Sequence, residues 1–115
     1  MIKQLASKDI KEYLKTETKK ILLDVRTQEE WNQFGKPDGE KIGLKTFFLT
    51  IQDENFVNEF KNLSINKDHE ILTICRSGER SQVVSELLTK ENYKCTNISD
   101  GFIGWEDCNL PSRFK

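Results

Sequence analysis

A short segment around one cysteine constrains this chain more than any other feature of its sequence. Residues 75–80 read Cys-Arg-Ser-Gly-Glu-Arg and follow a short apolar run at 71–74. A helical pattern with Val83, Val84, Leu87 and Leu88 comes directly after them. A strand therefore delivers Cys75 into a tight, glycine-containing loop from which a helix starts. Successive backbone N–H groups and the positive end of the helix dipole then point to the centre of the loop, and we expect an anion site there.

The position of Cys75 in this loop predicts a reactive thiol. A site that stabilises anions stabilises the thiolate, which is the nucleophilic form of cysteine. The same amides would hold an anionic product, so the chemistry requires no separate general base. The lack of histidine in the segment agrees with this interpretation. We interpret Cys75 as a nucleophile that handles sulfur.

Length and charge exclude several classes of protein. A chain of 115 residues fits a single domain, spanning 1–115, that buries a real core. Charged residues make up 32% of the chain, yet the net charge is −1, and neither a basic stripe nor an acidic block is visible. The N-terminus lacks the apolar core of a signal peptide, and no stretch approaches the roughly 20 apolar residues that cross a bilayer. We expect a cytoplasmic protein with no nucleic-acid or membrane partner.

The remaining cysteines and the single histidine give no sign of a disulfide, metal or other cofactor. Cys75, Cys95 and Cys108 are odd in number and form no C-x-x-C pair. His69 lies in a segment of loop composition, without the spacing of metal ligands. We predict Cys95 to be a small, buried apolar residue and Cys108 to be more exposed.

Short strands alternate with helices along the chain. Apolar runs predict strands at 21–25, 46–50, 71–74 and 94–98, and helical patterns cover 8–15, 55–63 and 80–92. Thr27 and Glu30 form a capping box that opens a short helix through residue 34, and 35–39 is a predicted loop. This order predicts an α/β domain with a mainly parallel sheet. Sites in such sheets form beyond the carboxyl ends of strands, where both Asp24 and Cys75 fall.

Three segments of the sequence resemble the single-domain rhodanese family. They are residues 22–26 (Leu-Leu-Asp-Val-Arg, followed by Glu30-Trp31), the loop 75–81, and 100–105 (Asp-Gly-Phe-Ile-Gly-Trp), in the order that the family has them. The resemblance implies a three-layer α/β domain whose mainly parallel, five-stranded central sheet is flanked by helices. It places the Cys75 strand centrally, next to the Asp24 strand. It also implies a sulfurtransferase that moves sulfane sulfur from thiosulfate or a persulfide donor to cyanide or a thiol, through a persulfide on Cys75.

Two segments depart from the family pattern. Residues 35–39 read Gly-Lys-Pro-Asp-Gly where the family usually has Gly-His-Ile-Pro-Gly, and a pair of glycines near the C-terminus is reduced to Asp100-Gly101. Both lie outside the cysteine loop. We expect them to change local loop structure and partner contacts more than the chemistry.

The loop residues receive separate roles in this interpretation. Arg76 draws in an anionic donor such as thiosulfate and holds it, whereas Arg80 closes the loop and adds positive potential. Gly78 permits a backbone conformation closed to other residues or a close approach to the anion. Ser77 either donates a hydroxyl hydrogen bond to the thiolate or caps the helix. Glu79 repels anions at the rim, and it either points to solvent or selects a thiol or protein donor.

Several residues outside the loop have supporting roles. Asp24 lies in an apolar strand and must be paired if it is buried; it accepts hydrogen bonds either from the cysteine loop or from Arg26. Ser81 completes the loop motif. Trp31 and Trp105 are predicted to pack in the core and at its rim.

Two other functional classes share parts of this pattern. Cysteine phosphatases and arsenate reductases cradle a thiolate in the same way, but they resemble a pattern with five residues between cysteine and arginine. Cys75 and Arg80 have four, and a smaller ring suits a sulfur atom better than a phosphoryl group. A persulfide carrier or redox-sensing module without catalytic activity is the other alternative.

Overall fold

Parallel strands form the centre of the molecule. The structure is a computed structural model that describes residues 2–52 and 54–113; the remaining positions of the predicted 1–115 domain lie outside this description. The main sheet has the order β1-β6-β5-β2-β4, and every pairing in it is parallel. These strands are β1 (Lys3–Leu5), β2 (Lys20–Asp24), β4 (Lys45–Phe48), β5 (Glu70–Ile74) and β6 (Lys94–Ile98), and a separate antiparallel pair joins β3 (Lys36–Pro37) to β7 (Ser112–Arg113).

Helices cover both faces of the sheet. They are α1 (Ile10–Tyr13), α2 (Gln28–Phe34), α3 (Phe56–Asn62), α4 (Glu79–Lys90) and α5 (Gly101–Asp107), with 3-10 turns at Ser7–Asp9 and Gly39–Ile42. Neighbouring residues of a strand enter opposite cores: Leu22 packs with α1 and α5, whereas Leu23 packs with α3 and α4. The central strands are buried on both faces, which explains their continuous apolar sequence. The predicted three-layer α/β fold is confirmed. No helix among residues 2–52 and 54–113 is long and apolar enough to span a membrane.

Several short elements differ from the sequence-based predictions. The edge strand β1 was not predicted, because its burial is limited to Leu5 and it forms by pairing with the distant strand β6. The first helix is shorter than the predicted 8–15, since a 3-10 turn precedes α1. The predicted loop 35–39 contains β3, whose two residues pair with 112–113. Two-residue strands of this kind carry no periodicity that a sequence pattern can show.

The carboxyl ends of β2 and β5 meet at one edge of the sheet. Asp24 is opposite Ile74 in the register, and the backbone N–H of Val25 donates to the carbonyl of Ile74 at 3.0 Å. Asp24 and Cys75 therefore lie close together at the sheet edge, as predicted.

Trp105 packs in the core, as predicted. It is fully buried, and its indole N–H donates to the carbonyl of Pro111 at 2.7 Å.

Candidate active site

Three donors converge on the sulfur of Cys75. The backbone N–H of Gly78 lies 3.1 Å from Sγ, and the backbone N–H and hydroxyl of Ser81 lie at 3.4 and 3.3 Å. Cys75 is 1% exposed, so little water competes with these donors. The backbone around residue 75 thus forms a small cup of hydrogen-bond donors that favours negative charge on sulfur.

Gly78 allows the chain to turn into α4 immediately behind the sulfur. Its φ of 102° and ψ of −12° are left-handed, and a Cβ at this position would overlap the carbonyl oxygen of Ser99. The left-handed backbone of residue 78 and its close approach to Ser99 both explain why glycine stands at this position. Because α4 starts at Glu79, its unpaired N-terminal amides and positive dipole end face the loop.

The start of α5 braces the other side of the loop. The backbone N–H groups of Phe102 and Ile103 donate to the carbonyls of Cys75 and Arg76 at 2.7 and 3.2 Å. Gly101 has a φ of 59°, and a Cβ there would overlap the carbonyl oxygen of Arg76. The sequence departure at residues 100–101 therefore keeps its glycine at the position where α5 contacts the loop.

The hydroxyl at the sulfur belongs to Ser81, not to Ser77. Ser77 is exposed at the apex of the loop, and Gly78 occupies the N-cap of α4 without a side-chain cap. Both alternatives considered for Ser77 are wrong for this structure. The first turn of α4 instead carries Ser81 inward, beneath the sulfur. Glu79 is exposed, in agreement with the solvent-facing alternative.

Arg80 ties the loop to α2 rather than presenting a free charge to it. Its two terminal nitrogens donate to the two carboxylate oxygens of Glu30 at 2.7 Å each. Glu30 also completes the predicted capping box with Thr27, which is confirmed. The Arg80–Glu30 pair ties the start of α4 to α2, and the negative charge of Glu30, which the sequence analysis did not foresee, opposes the positive charge expected of Arg80.

This ion pair makes stability depend on pH. Hydrogen bonds from Arg80, more than any other cause, lower the pKa of Glu30 from 4.5 to about 2. Because the folded state holds the carboxylate, its stabilising contribution is fully present above pH 4.5 and is lost as the pH falls toward 2. We expect Glu30→Gln to be destabilised at pH 6 and to lose less stability than the wild type between pH 6 and 3, measured by urea unfolding. Glu29→Gln, at an exposed neighbouring residue, should show the wild-type change of unfolding free energy with pH. The same change with pH in all three proteins would contradict a stabilising role for the Arg80–Glu30 pair.

Asp24 and Arg26 form a buried pair beneath the site. Both are fully buried; Arg26 donates through Nε at 3.1 Å and through Nη2 at 2.9 Å to the carboxylate. Nη2 also donates to the carbonyl of Gly35 at 2.9 Å, and the guanidinium lies 4.3 Å from the ring centroid of Phe102. Of the two partners considered for Asp24, the structure selects Arg26. The pair connects β2, the 35–39 segment and α5, so it supports the loop from below.

Arg76 is placed differently from Arg80. It is exposed, its guanidinium lies 4.5 Å from the ring centroid of Phe34, and the described residues offer it no salt bridge. It borders a cavity of about 90 Å³. The other lining residues are Arg26, Phe34, Phe102, Ile103 and Glu106. Phe34 and Glu106 were not singled out by sequence analysis, and Phe102 was quoted only as part of the 100–105 segment, because these residues come from two helices that only the fold brings to the loop.

Asn97 is the main contact that the sequence analysis missed. This residue of β6 is 2% exposed; its Oδ1 lies 2.5 Å from the hydroxyl of Ser81, and its Nδ2 donates to the carbonyl of Gly78 at 3.0 Å. Thr73 and Ser85 extend the same buried polar cluster. The signal that could have identified Asn97 is its polar side chain inside a segment predicted to be a strand.

The remaining cysteines lie apart from this cup. Cys95 is only partly buried, so the prediction of a buried residue is wrong, whereas Cys108 is exposed as predicted. Partial burial still raises the pKa of the Cys95 thiol to about 11, so it stays protonated at neutral pH. Among residues 2–52 and 54–113, no cluster of His, Cys, Asp or Glu side chains is arranged to hold a metal ion.

Comparisons with known proteins agree with this fold. A family model described as a rhodanese-like domain matches residues 7–108. An uncharacterized protein of Rickettsia prowazekii is 42% identical over 103 residues, which cover 82% of this chain and 83% of that protein. A putative sulfurtransferase of Bacillus subtilis is 29% identical over 110 residues, 96% of each chain. The crystal structure of an M. tuberculosis protein superposes with a TM-score of 0.80 at 25% identity and covers 97% of both chains. The protein belongs to the rhodanese-like family.

Membership of this family, together with relatives named as sulfurtransferases, supports a sulfurtransferase-type function.

Proposed function

We propose that this protein transfers sulfane sulfur through a persulfide on Cys75, from thiosulfate or a persulfide donor to cyanide or a thiol. The observation that carries the proposal is the convergence of three donors, from Gly78 and Ser81, on the Cys75 sulfur. Four residues separate Cys75 from Arg80, which limits the cup to a small group. The donor set needs no metal and no organic cofactor to stabilise the anion.

The reaction proceeds in two displacements at sulfur. The Cys75 thiolate attacks the outer sulfur of thiosulfate; an S–S bond forms, the bond to the sulfonate group breaks, and sulfite leaves with the electron pair. An acceptor such as cyanide then attacks the outer sulfur of the persulfide. The S–S bond breaks, its electron pair returns to Sγ, and thiocyanate leaves. Charge balances in each step, and the amides of the cup stabilise the anions that form.

Arg76 suits the binding of a small anionic donor. Its charge has no acidic partner among the described residues, and it borders the cavity beside the loop. We expect Arg76→Ala to lower kcat/KM for thiosulfate by about tenfold, since one charge-assisted contact is lost, and to change use of a neutral persulfide donor much less. Steady-state rates with both donors measure this difference.

Lys94→Ala provides the control for total charge, because Lys94 is exposed at the opposite end of β6 from the loop. This variant should retain both activities. An equal loss with both donors in Arg76→Ala would show that Arg76 does not discriminate by charge.

Mass spectrometry tests the proposal most directly. After the protein is mixed with thiosulfate, the peptide that carries Cys75 should gain one sulfur atom, and cyanide should remove it as thiocyanate. Peptides that carry Cys95 and Cys108 serve as internal controls. No added sulfur together with hydrolysis of an aryl phosphate would favour a phosphatase, and sulfur that cyanide does not remove would favour a carrier.

A further inference from the structure

Asn97 holds the base of the cysteine loop through both ends of its amide. Nδ2 donates to the carbonyl of Gly78 at 3.0 Å and to Oε1 of Gln4 at 2.9 Å. On the other side, Oδ1 lies 2.5 Å from the hydroxyl oxygen of Ser81. Because Asn97 is 2% exposed, these contacts fix its side chain in place of water.

The hydroxyl of Ser81 faces three acceptors with a single proton to donate. Oδ1 of Asn97 is the nearest at 2.5 Å, whereas Sγ of Cys75 and the carbonyl oxygen of Gly78 both lie at 3.3 Å. A neutral sulfur is a weak acceptor, so the amide oxygen takes the proton when Sγ is uncharged. A sulfur anion is a much stronger acceptor, because hydrogen bonds to ionised groups are about twice as strong as neutral ones.

We propose that Asn97 is a positioning residue that competes with the Cys75 sulfur for the Ser81 hydroxyl proton, so that this proton points to Sγ only while Sγ is anionic. This inference deepens the proposed function and rests on it for its role in turnover. Thr73 completes the arrangement: its hydroxyl lies 3.4 Å from Oδ1 of Asn97 and 2.7 Å from Oγ of Ser85. It turns to the amide oxygen when Ser81 turns away.

The two positions of the hydroxyl correspond to the two halves of the reaction. When the persulfide forms, the negative charge moves from Sγ to the outer sulfur, and the Ser81 hydroxyl returns to Asn97. When the acceptor removes the outer sulfur, the S–S bond breaks and its electron pair returns to Sγ. The hydroxyl then turns to Sγ and stabilises the departing thiolate. The proton stays on Ser81 throughout, so the exchange is a rotation and no proton is transferred.

The variants that test this inference leave every charged residue near the sulfur in place. The charged groups around the loop are Arg76 and Glu79, the Arg80–Glu30 and Asp24–Arg26 pairs, and Glu106 of α5, which lines the same cavity as Arg76. Substitutions at Asn97 or Ser81 remove none of them. A difference between these variants therefore reports on the hydroxyl.

The test is the pH dependence of Cys75 alkylation by iodoacetamide, quantified on its own peptide by mass spectrometry. Ser81→Ala should move the midpoint upward by about half a unit to one unit, because the thiolate loses a donor. Asn97→Ala should move it downward by about half a unit, because the nearest competing acceptor is lost and the anionic sulfur accepts the Ser81 proton more strongly than the neutral carbonyl of Gly78 does. The double variant should match Ser81→Ala, since Asn97 acts through Ser81.

Matched variants separate this effect from a loosened loop. Gln4→Ala removes the hydrogen bond between Gln4 and Nδ2 of Asn97 and should leave the alkylation midpoint unchanged. Ser81→Thr keeps a hydroxyl at position 81 and should have the wild-type midpoint. Asn97→Leu keeps the shape of the side chain and substitutes for Asn97→Ala if that variant fails to fold. A midpoint that is unchanged or raised in the Asn97 variants, or a downward shift that persists in Ser81→Ala, overturns the inference. Alkylation requires no sulfur transfer, so the midpoints decide the role of Asn97 even if the proposed sulfur transfer is not observed.

Discussion

Replacement of Cys75 by serine is expected to abolish sulfur transfer while the protein stays folded. A serine hydroxyl is not ionised at neutral pH and forms no persulfide, so the rate of thiocyanate formation should fall by about a thousandfold or more. The fold should persist because the serine oxygen accepts the same hydrogen bonds, from Gly78 and Ser81, that the sulfur accepts. Thiocyanate assays and a urea unfolding curve of the same sample measure both properties.

Cys108→Ser is the matched control, since Cys108 is an exposed cysteine outside the loop. It should transfer sulfur at the wild-type rate. Transfer that survives in Cys75→Ser would refute the persulfide proposal, and loss of transfer in the Cys108 variant would assign a resolving role to that thiol.

Asp24→Asn should cost about 3 kcal/mol of unfolding free energy, because it leaves the Arg26 charge buried without a counterion. Asp24 and Arg26 are both fully buried, and the carboxylate receives hydrogen bonds from Nε and Nη2 of Arg26. Such a loss is a large fraction of the stability of a small domain. Urea unfolding at low temperature, where the variant stays folded, measures the change.

Two controls separate burial from pairing. Asp9→Asn removes a carboxylate from an exposed pair with Lys8 and should change stability by less than about 0.5 kcal/mol. The double variant Asp24→Leu with Arg26→Met removes both charges and should recover most of the loss, since no unpaired charge remains. Equal unfolding free energies for Asp24→Asn and Asp9→Asn would show that burial does not make the Asp24–Arg26 pair more important for stability than an exposed pair.

Sequence patterns predicted the central elements because those elements carry local signals. The apolar runs of β2 and β5, the capping box of Thr27 and Glu30, and the apolar stripe of α3 each depend on neighbouring residues. The short strands β1, β3 and β7 depend on pairing with distant residues, and their sequences carry no periodicity. The length of an element and the distance to its partner therefore decided which predictions held.

Within the site, the backbone geometry of the loop could be predicted from its residues, and the partners of its side chains could not. A cysteine between a buried strand and a helix start, with glycine before that helix, determines a donor-rich cup by local geometry alone. Which hydroxyl reaches the sulfur, which acid offsets Arg80, and how Asn97 meets Ser81 depend on the packing of α2, α4 and β6 around that loop. Backbone conformation is set by nearby residues, but side-chain contacts between distant segments form only when the chain folds. The sequence by itself thus determined the cysteine loop and the backbone donors around its sulfur, and the tertiary structure alone decided the side chains that surround it.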